Sequence, residues 1–206
     1  YDWFKEKTGK KHWVFYNTEM YIIRSGELRY NEDSDLAPIL PINASSCCDM
    51  FRGCITLERL DLSRFRTENI VTMMSMFRGC HNLKELDLSN FNTENVINMS
   101  RMFEDCTKLT TLSVKDFGTV NTISMANIFQ NCESLITLDL LSFDTSNVKS
   151  FANFFNGCKS LKRIYVSPKL VTGEYIDNCF VFDCCVNLPH FSQDRINYEM
   201  LVDVKD

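Results

Sequence analysis

Ten cysteines and three histidines are the residues of this 206-residue chain whose chemistry is most readily put to work. Cys54, Cys80, Cys106, Cys132 and Cys158 stand 26 residues apart. In a stack of equal units their thiols come about as close as neighbouring strands, about 4.8 Å, near enough for a disulfide or a metal. Zinc sites, however, draw on CxxC clusters that converge from loops, and the sequence has none. A cysteine just inside a turn acts as a small apolar residue, so a buried, reduced column is expected. Cys47 and Cys48 lie near the start and Cys179 and Cys184 near the end, so these two sets fall at opposite ends of a stack and cannot bridge. His12, His81 and His190 occupy unrelated positions. No Cys–His, Ser–His or paired-carboxylate arrangement stands out, so the reading is non-enzymatic, with no cofactor and no metal. Asp61 and Asp87 are one period apart; carboxylates about 5 Å apart repel by roughly 1 kcal/mol in water. Neighbouring hydroxyls and basic residues are expected to offset that repulsion, with calcium bridging as the other reading.

The elements that position these residues follow from the period. Phe51, Phe77, Phe103, Phe129 and Phe155 keep the 26-residue spacing, as do Leu57, Leu83, Leu109, Leu135 and Leu161. Asn69, Asn95, Asn121 and Asn147 form another column, each two residues after a threonine. Several columns in one register mean a repeat architecture. Within a unit, Ile70, Met73, Met76 and Phe77 are spaced by threes and fours, which reads as one face of a short helix. Short helices are therefore expected near 70–78, 96–104, 122–130 and 148–156. The Asn column serves as N-caps or as a ladder that satisfies stacked backbone. Gly53, Gly79, Asp105, Asn131 and Gly157 follow the helices, and these types tolerate the left-handed conformation that ends one. Leucines then alternate around Asp61 and Asp87, the mark of a strand. Strands are expected near Leu60–Leu62, Leu86–Leu88, Leu112–Val114, Leu138–Leu140 and Ile164–Val166. The fold class is thus an α/β, leucine-rich-repeat-like solenoid with one short parallel strand and one short helix per repeat.

Residues 36–191 form the solenoid in this reading, with a degenerate first unit (Leu36, Asn43, Cys47) and a last one in which Phe182, Cys185 and Leu188 come one residue late. Residues 1–35, which hold Trp3 and Trp13, are an N-terminal cap or the tail of a preceding domain. Residues 192–206 are a C-terminal cap or tail, with a closing helix over Ser192–Val204.

The segment Met76–Phe103, MFRGCHNLKELDLSNFNTENVINMSRMF, carries MFxxC, LDLS and TxNV in order. It resembles the repeat of the BspA-like leucine-rich-repeat surface proteins, well over residues 50 to 166 and loosely over 36–191. That resemblance implies a cell-surface or extracellular protein of adhesive type, and it implies no particular ligand. An intracellular or virion location is the alternative, and the many cysteines suit cytoplasm or an anaerobic surface equally.

The strand positions between and beside the inward leucines face outward. They include Arg59, Asp61, Glu85, Asp87, Lys115, Asp139, Leu141, Arg163 and Tyr165, and these are the candidate binding residues. The face is uniform at the aspartates and varied towards its C-terminal half, where Tyr and Arg favour recognition of a protein or glycan. The other reading makes Tyr165 part of a cap, and the chain a spacer or assembly subunit without a dedicated ligand. Ser75, Arg78 and Glu104, on the opposite side, are expected to need only solvent. Net charge is −5, which gives nucleic-acid binding no electrostatic support, and the Lys5–Lys11 run, broken by Glu6, reads as a solvated face. No apolar stretch approaches the roughly 20 residues of a membrane span, and no signal-peptide pattern is present. Because the first residue is Tyr1 and not Met, a fragment or a processed form is expected.

Overall fold

The computed structural model describes residues 45–63, 65–170 and 183–188, with the backbone of 15–16, 19–20, 22–24 and 27–29. Four short strands come first: β1 (Phe15–Tyr16), β2 (Glu19–Met20), β3 (Ile22–Arg24) and β4 (Glu27–Arg29). They pair antiparallel as β1–β2 and β3–β4. Then each 26-residue unit makes one coil with one strand: β5 (Arg59–Leu60), β6 (Glu85–Asp87), β7 (Thr111–Ser113), β8 (Thr137–Leu140) and β9 (Arg163–Val166). Among these, β6 pairs β7 and β8 pairs β9 in parallel, with Leu86 opposite Leu112 and Leu138 opposite Ile164, and β4 joins β5 in parallel. Their inward residues are buried, so the alternation in the sequence is the pleat of the strands.

The helices expected in each unit are not formed; among the described residues no segment is helical. From Met73 to Cys80 the chain makes consecutive turns instead. The N–H groups of Met76, Arg78 and Cys80 bond the carbonyls three residues back, while those of Met73, Ser75, Phe77 and Gly79 cross to the next coil, onto Asn98, Ser100, Met102 and Glu104. The backbone fixes this outcome. Ser75 (φ 57°) and Gly79 (φ 73°) are left-handed, as are Arg101, Asp105, Asn127, Asn131, Asn153 and Gly157 at the same two places in later coils. A left-handed residue in mid-segment breaks the helical run, and at the third place of a turn it fits. The glycine and asparagine column was therefore read with the right backbone conformation but as the wrong element. Isolated parallel bridges (Ser46, Thr72, Asn98, Ser124, Ser150) run down this side, so coils are hydrogen-bonded to one another on both walls.

The core between the walls is a set of ladders. Phe51, Phe77, Phe103, Phe129 and Phe155 stack ring on ring, with successive centroids 5.3, 5.7, 5.7 and 5.8 Å apart. Leu57, Leu83, Leu109, Leu135 and Leu161 are fully buried alongside. Ser45 to Cys54 already follow the coil register, since Cys47, Asp49, Phe51 and Gly53 donate to the turn carbonyls of the following coil. At the other end Cys185 and Leu188 are buried, and Gly157 donates to Asp183. Phe182, the rest of residues 1–35 and the segment expected to close as a helix lie outside the described residues.

Candidate functional site

The chemistry-bearing columns are mostly engaged within the stack. Each repeat cysteine from Cys80 onward donates its thiol to the phenylalanine carbonyl of the coil before: Cys80 to Phe51 (3.1 Å), Cys106 to Phe77 (3.2 Å), Cys132 to Phe103 (3.3 Å), Cys158 to Phe129 (3.1 Å) and Cys185 to Phe155 (3.0 Å). All of these thiols are buried and free. Burial pushes Cys80, Cys132 and Cys158 well above the usual thiol range and Cys47 and Cys106 up to about 12, so the thiolate that a nucleophile or metal ligand needs is suppressed. The threonines do related work, Thr67, Thr93 and Thr119 donating to the following coil at 2.8–3.1 Å. The asparagines form a ladder and not caps: Asn95, Asn121 and Asn147 donate to the coil before at 2.8–2.9 Å. Among the described residues no three His, Cys, Asp or Glu side chains group as a metal site would.

On the turn side the polar positions are not idle solvated groups. Ser75 and Glu104 are buried, and Glu104 pairs with Arg78 (3.1 Å) and Arg101 (3.4 Å). Loss of solvent raises its carboxyl above the ordinary range, and the arginines offset that only in part. The same side presents an edge row of exposed aliphatics, Val71, Ile97 and Ile123, each hydrogen-bonded through its N–H to the coil before.

The strand face positions the predicted binding residues. Arg59 and Glu85 are exposed and pair with each other at 3.2 Å. Asp61 and Asp87 avoid each other by turning back on their own chain, accepting the N–H of Ser63 (2.9 Å) and Ser89 (3.0 Å). This is the local turn that Asp forms with the backbone two residues on. For Asp87 the Ser89 N–H and hydroxyl, then Ser113 and Lys115, hold the carboxyl below its ordinary range. Asp139 repeats the pattern with the Leu141 N–H at 3.1 Å. Lys115 is exposed and Leu141 half-buried. On β9 Arg163 lies over the Tyr165 ring, its guanidinium carbon 6.0 Å from the centroid, and donates to the phenol oxygen at 3.3 Å. Thr137 stands opposite Arg163 and Asp139 opposite Tyr165, which brings four side chains of β8 and β9 together. Arg59 and Asp61 belong to a separate group, several coils away.

Sequence reading missed Ile136 and Lys162. They share a column with Glu58, Lys84 and Thr110, just before the strands. Ile136 is 47% exposed, and the Lys162 N–H bonds its carbonyl at 2.9 Å. The available signal was one aliphatic residue in an otherwise polar outward column.

Short parallel strands with paired inward aliphatic residues, one to each 26-residue coil, define a leucine-rich-repeat-like protein. The chain belongs to the family described as Mycoplasma protein of unknown function, DUF285, whose model matches residues 45–167. A crystal structure of a T. pallidum leucine rich repeat protein is similar over 74% of this chain and 77% of that one, at 18% identity and a TM-score of 0.43. No curated protein is found to match. Among the described residues no helix is long and apolar enough to cross a membrane.

Proposed function

We propose that this chain is a non-catalytic recognition module that presents its outward strand face to a protein or glycan ligand, as part of a surface protein of the adhesive, BspA-like kind. One observation carries the reading. The early strand-face charges pair with one another, Glu58 with Lys84 and Arg59 with Glu85, whereas the last coils present Ile136, Leu141 and the Arg163–Tyr165 platform. Tyr and Arg are among the residue types that most often dominate binding energy. The cysteines do not oppose a surface location, because buried, protonated thiols react slowly with oxidants. The test is Arg163→Ala with Tyr165→Ala, assayed for binding to host-cell extracts and to a glycan array, with thermal melting alongside. Lost binding at unchanged melting supports recognition. Lost melting alone makes these residues a cap and removes the basis of the proposal.

The assembly-subunit reading is favoured by one feature, the aliphatic edge row. Val71, Ile97 and Ile123 are 38%, 43% and 41% exposed on successive coils, a line that a second copy of the chain would cover. Sedimentation of the wild type and of Ile97→Lys decides it: a self-associating chain that the substitution renders monomeric supports the subunit, and a wild-type monomer at high concentration ends it.

A further inference from the structure

We propose that two copies of the chain pair through the turn-side wall about a two-fold axis, antiparallel, with Ile97 of each against Ile123 of the other. The proposal rests on the assembly-subunit reading above and gives that assembly its geometry. The wall is poor in charge. Its outward residues fall in three columns, those of Val71, Thr72 and Met74, which run from Ser45, Ser46 and Cys48 to Lys149, Ser150 and Ala152. Lys149 is the only charged residue in them. Over as many coils the strand-face columns of Glu58, Arg59 and Asp61 hold nine. Exposed aliphatics concentrate on the same wall. Val71, Ile97 and Ile123 lie in line, and Val120 is exposed in the turn that leads into Ile123. Loss of charge around apolar groups is the compositional mark of the centre of a protein interface.

The row is fixed in step. Val71, Ile97, Ile123 and Lys149 each donate the backbone N–H to the carbonyl one coil back in the same column, at 2.8 Å. Successive side chains therefore stand one coil apart, about 4.8 Å. A surface with the same step meets such a row side chain for side chain, and a second copy has it. A two-fold axis then makes every contact twice. Charge selects the register. The turns before the row carry Glu68, Glu94, Val120 and Ser146, all exposed. Rows laid parallel set Lys149 against Lys149. Rows laid antiparallel about Ile97 set Glu94 against Glu94. The antiparallel register centred between Ile97 and Ile123 avoids both. There Ile97 meets Ile123, Glu94 meets Val120, and Lys149 comes over Val71 beside Glu68 of the second copy. Opposite charges thus close the apolar strip at each end.

The experiment is sedimentation equilibrium of the full chain over a wide concentration range. It compares the wild type with Ile97→Lys, Lys149→Glu, Glu68→Lys and an equimolar mixture of the last two. All three positions are exposed, so the variants should melt with the wild type. The expected result is a wild-type dimer, a monomeric Ile97→Lys chain, and charge variants that each dimerise about tenfold more weakly. The mixture should regain the wild-type affinity, because the two reversed charges meet as opposites across the axis. A dimer that Ile97→Lys removes but the charge variants leave unchanged would overturn the register and leave the assembly reading standing. So would a weakening that mixing fails to restore, or a species larger than two. A wild-type monomer throughout, or a dimer indifferent to Ile97→Lys, would remove both.

Discussion

Replacing Phe103 by alanine tests the internal stack most directly. Its ring is fully buried, parallel within 2° to Phe77 and within 1° to Phe129, and 5.7 Å from each. Truncating a buried phenylalanine costs about 3–5 kcal/mol, depending on how far the site collapses. Collapse is poor here. The Phe103 N–H bonds the Ile128 carbonyl at 2.9 Å, and the Phe103 carbonyl takes the Cys106 N–H at 3.1 Å and the Cys132 thiol at 3.3 Å. Coils on both sides are held by the same ladders, so the gap stays open and the cost falls at the upper end, about 4–5 kcal/mol. Phe51 has one described ring neighbour in this column, Phe77 at 5.3 Å. Phe51→Ala should therefore cost less by about 1 kcal/mol, one ring contact. The assay is urea unfolding followed by far-ultraviolet circular dichroism, with the m-value checked for constancy. For a domain of this size 4 kcal/mol also lowers Tm by about 8–16 °C. A Phe103→Ala cost below about 1.5 kcal/mol, with m unchanged, would refute the idea that the ladders hold the cavity open.

Four further outcomes follow from the same geometry. Ser75→Gly should be neutral or stabilise by about 1 kcal/mol, because Ser75 is left-handed (φ 57°) and glycine carries no penalty there; in a helix it would cost about as much, so urea midpoints separate the two. Gly157→Ala should destabilise more than Gly79→Ala in paired melts: both are left-handed, but a Cβ on Gly157 collides with the Asn131 side chain, whereas one on Gly79 meets Gly53 backbone at 3.7 Å. The repeat thiols should resist a disulfide-exchange reagent in the native chain while Cys48 and Cys184, half-buried, react first; fast labelling of Cys80, Cys106, Cys132 and Cys158 would contradict their burial. Stability should also fall in alkali. Cys106 titrates near 12 in the fold against an ordinary 9.0, so the folded chain keeps protons that the unfolded chain releases; its contribution is complete below about pH 9 and lost towards pH 12, and a urea midpoint flat from pH 8 to 11 would count against it.

The strands were legible in the sequence and the helices were misread for one physical reason. Inward leucines two apart around an outward Asp61 or Asp87 fit a pleat and nothing else. Apolar steps of three and four from Ile70 to Phe77 fit a helix, but they also fit consecutive turns that come back to the core about every third residue. What separates the two is the sign of φ at Ser75 and Arg101, residue types that give no warning of it, whereas Gly79 and Asn131 do. The turns win because they send alternate N–H groups to the next coil, giving the stack a second hydrogen-bonded wall. The outward face was legible as a face, whereas the pairing of Glu58 with Lys84, 26 residues apart, comes from the stacked coils. At Asp87 the hydroxyls of Ser89 and Ser113 and the cation of Lys115 act as expected against repulsion from Asp61, and each aspartate also accepts an N–H of its own chain, which the sequence reading did not include.

These ladders also divide the residues that serve the stack from those free to serve a ligand. Cysteine, threonine and asparagine recur in register, and each is spent on a carbonyl of a neighbouring coil: Cys106 on Phe77, Thr93 on Gly118, Asn121 on Glu94. A position that repeats in every coil answers a demand that every coil makes, and that demand is stacking. Where the demand is met otherwise the identity drifts, as at Thr122, which stands buried in an otherwise apolar column because its hydroxyl reaches the Val96 carbonyl at 2.8 Å. Recognition of one ligand is not repeated from coil to coil, so it belongs to columns whose members differ while remaining exposed. The column of Glu58, Lys84, Thr110, Ile136 and Lys162 meets both conditions, and so does that of Arg59, Glu85, Thr111, Thr137 and Arg163. Both run down the strand face, and both change from paired charges at β5 and β6 to other residue types at β8 and β9, Ile136 and Lys162 in the first and Thr137 and Arg163 in the second. That change, more than the presence of any one residue, is what the proposed recognition reading rests on.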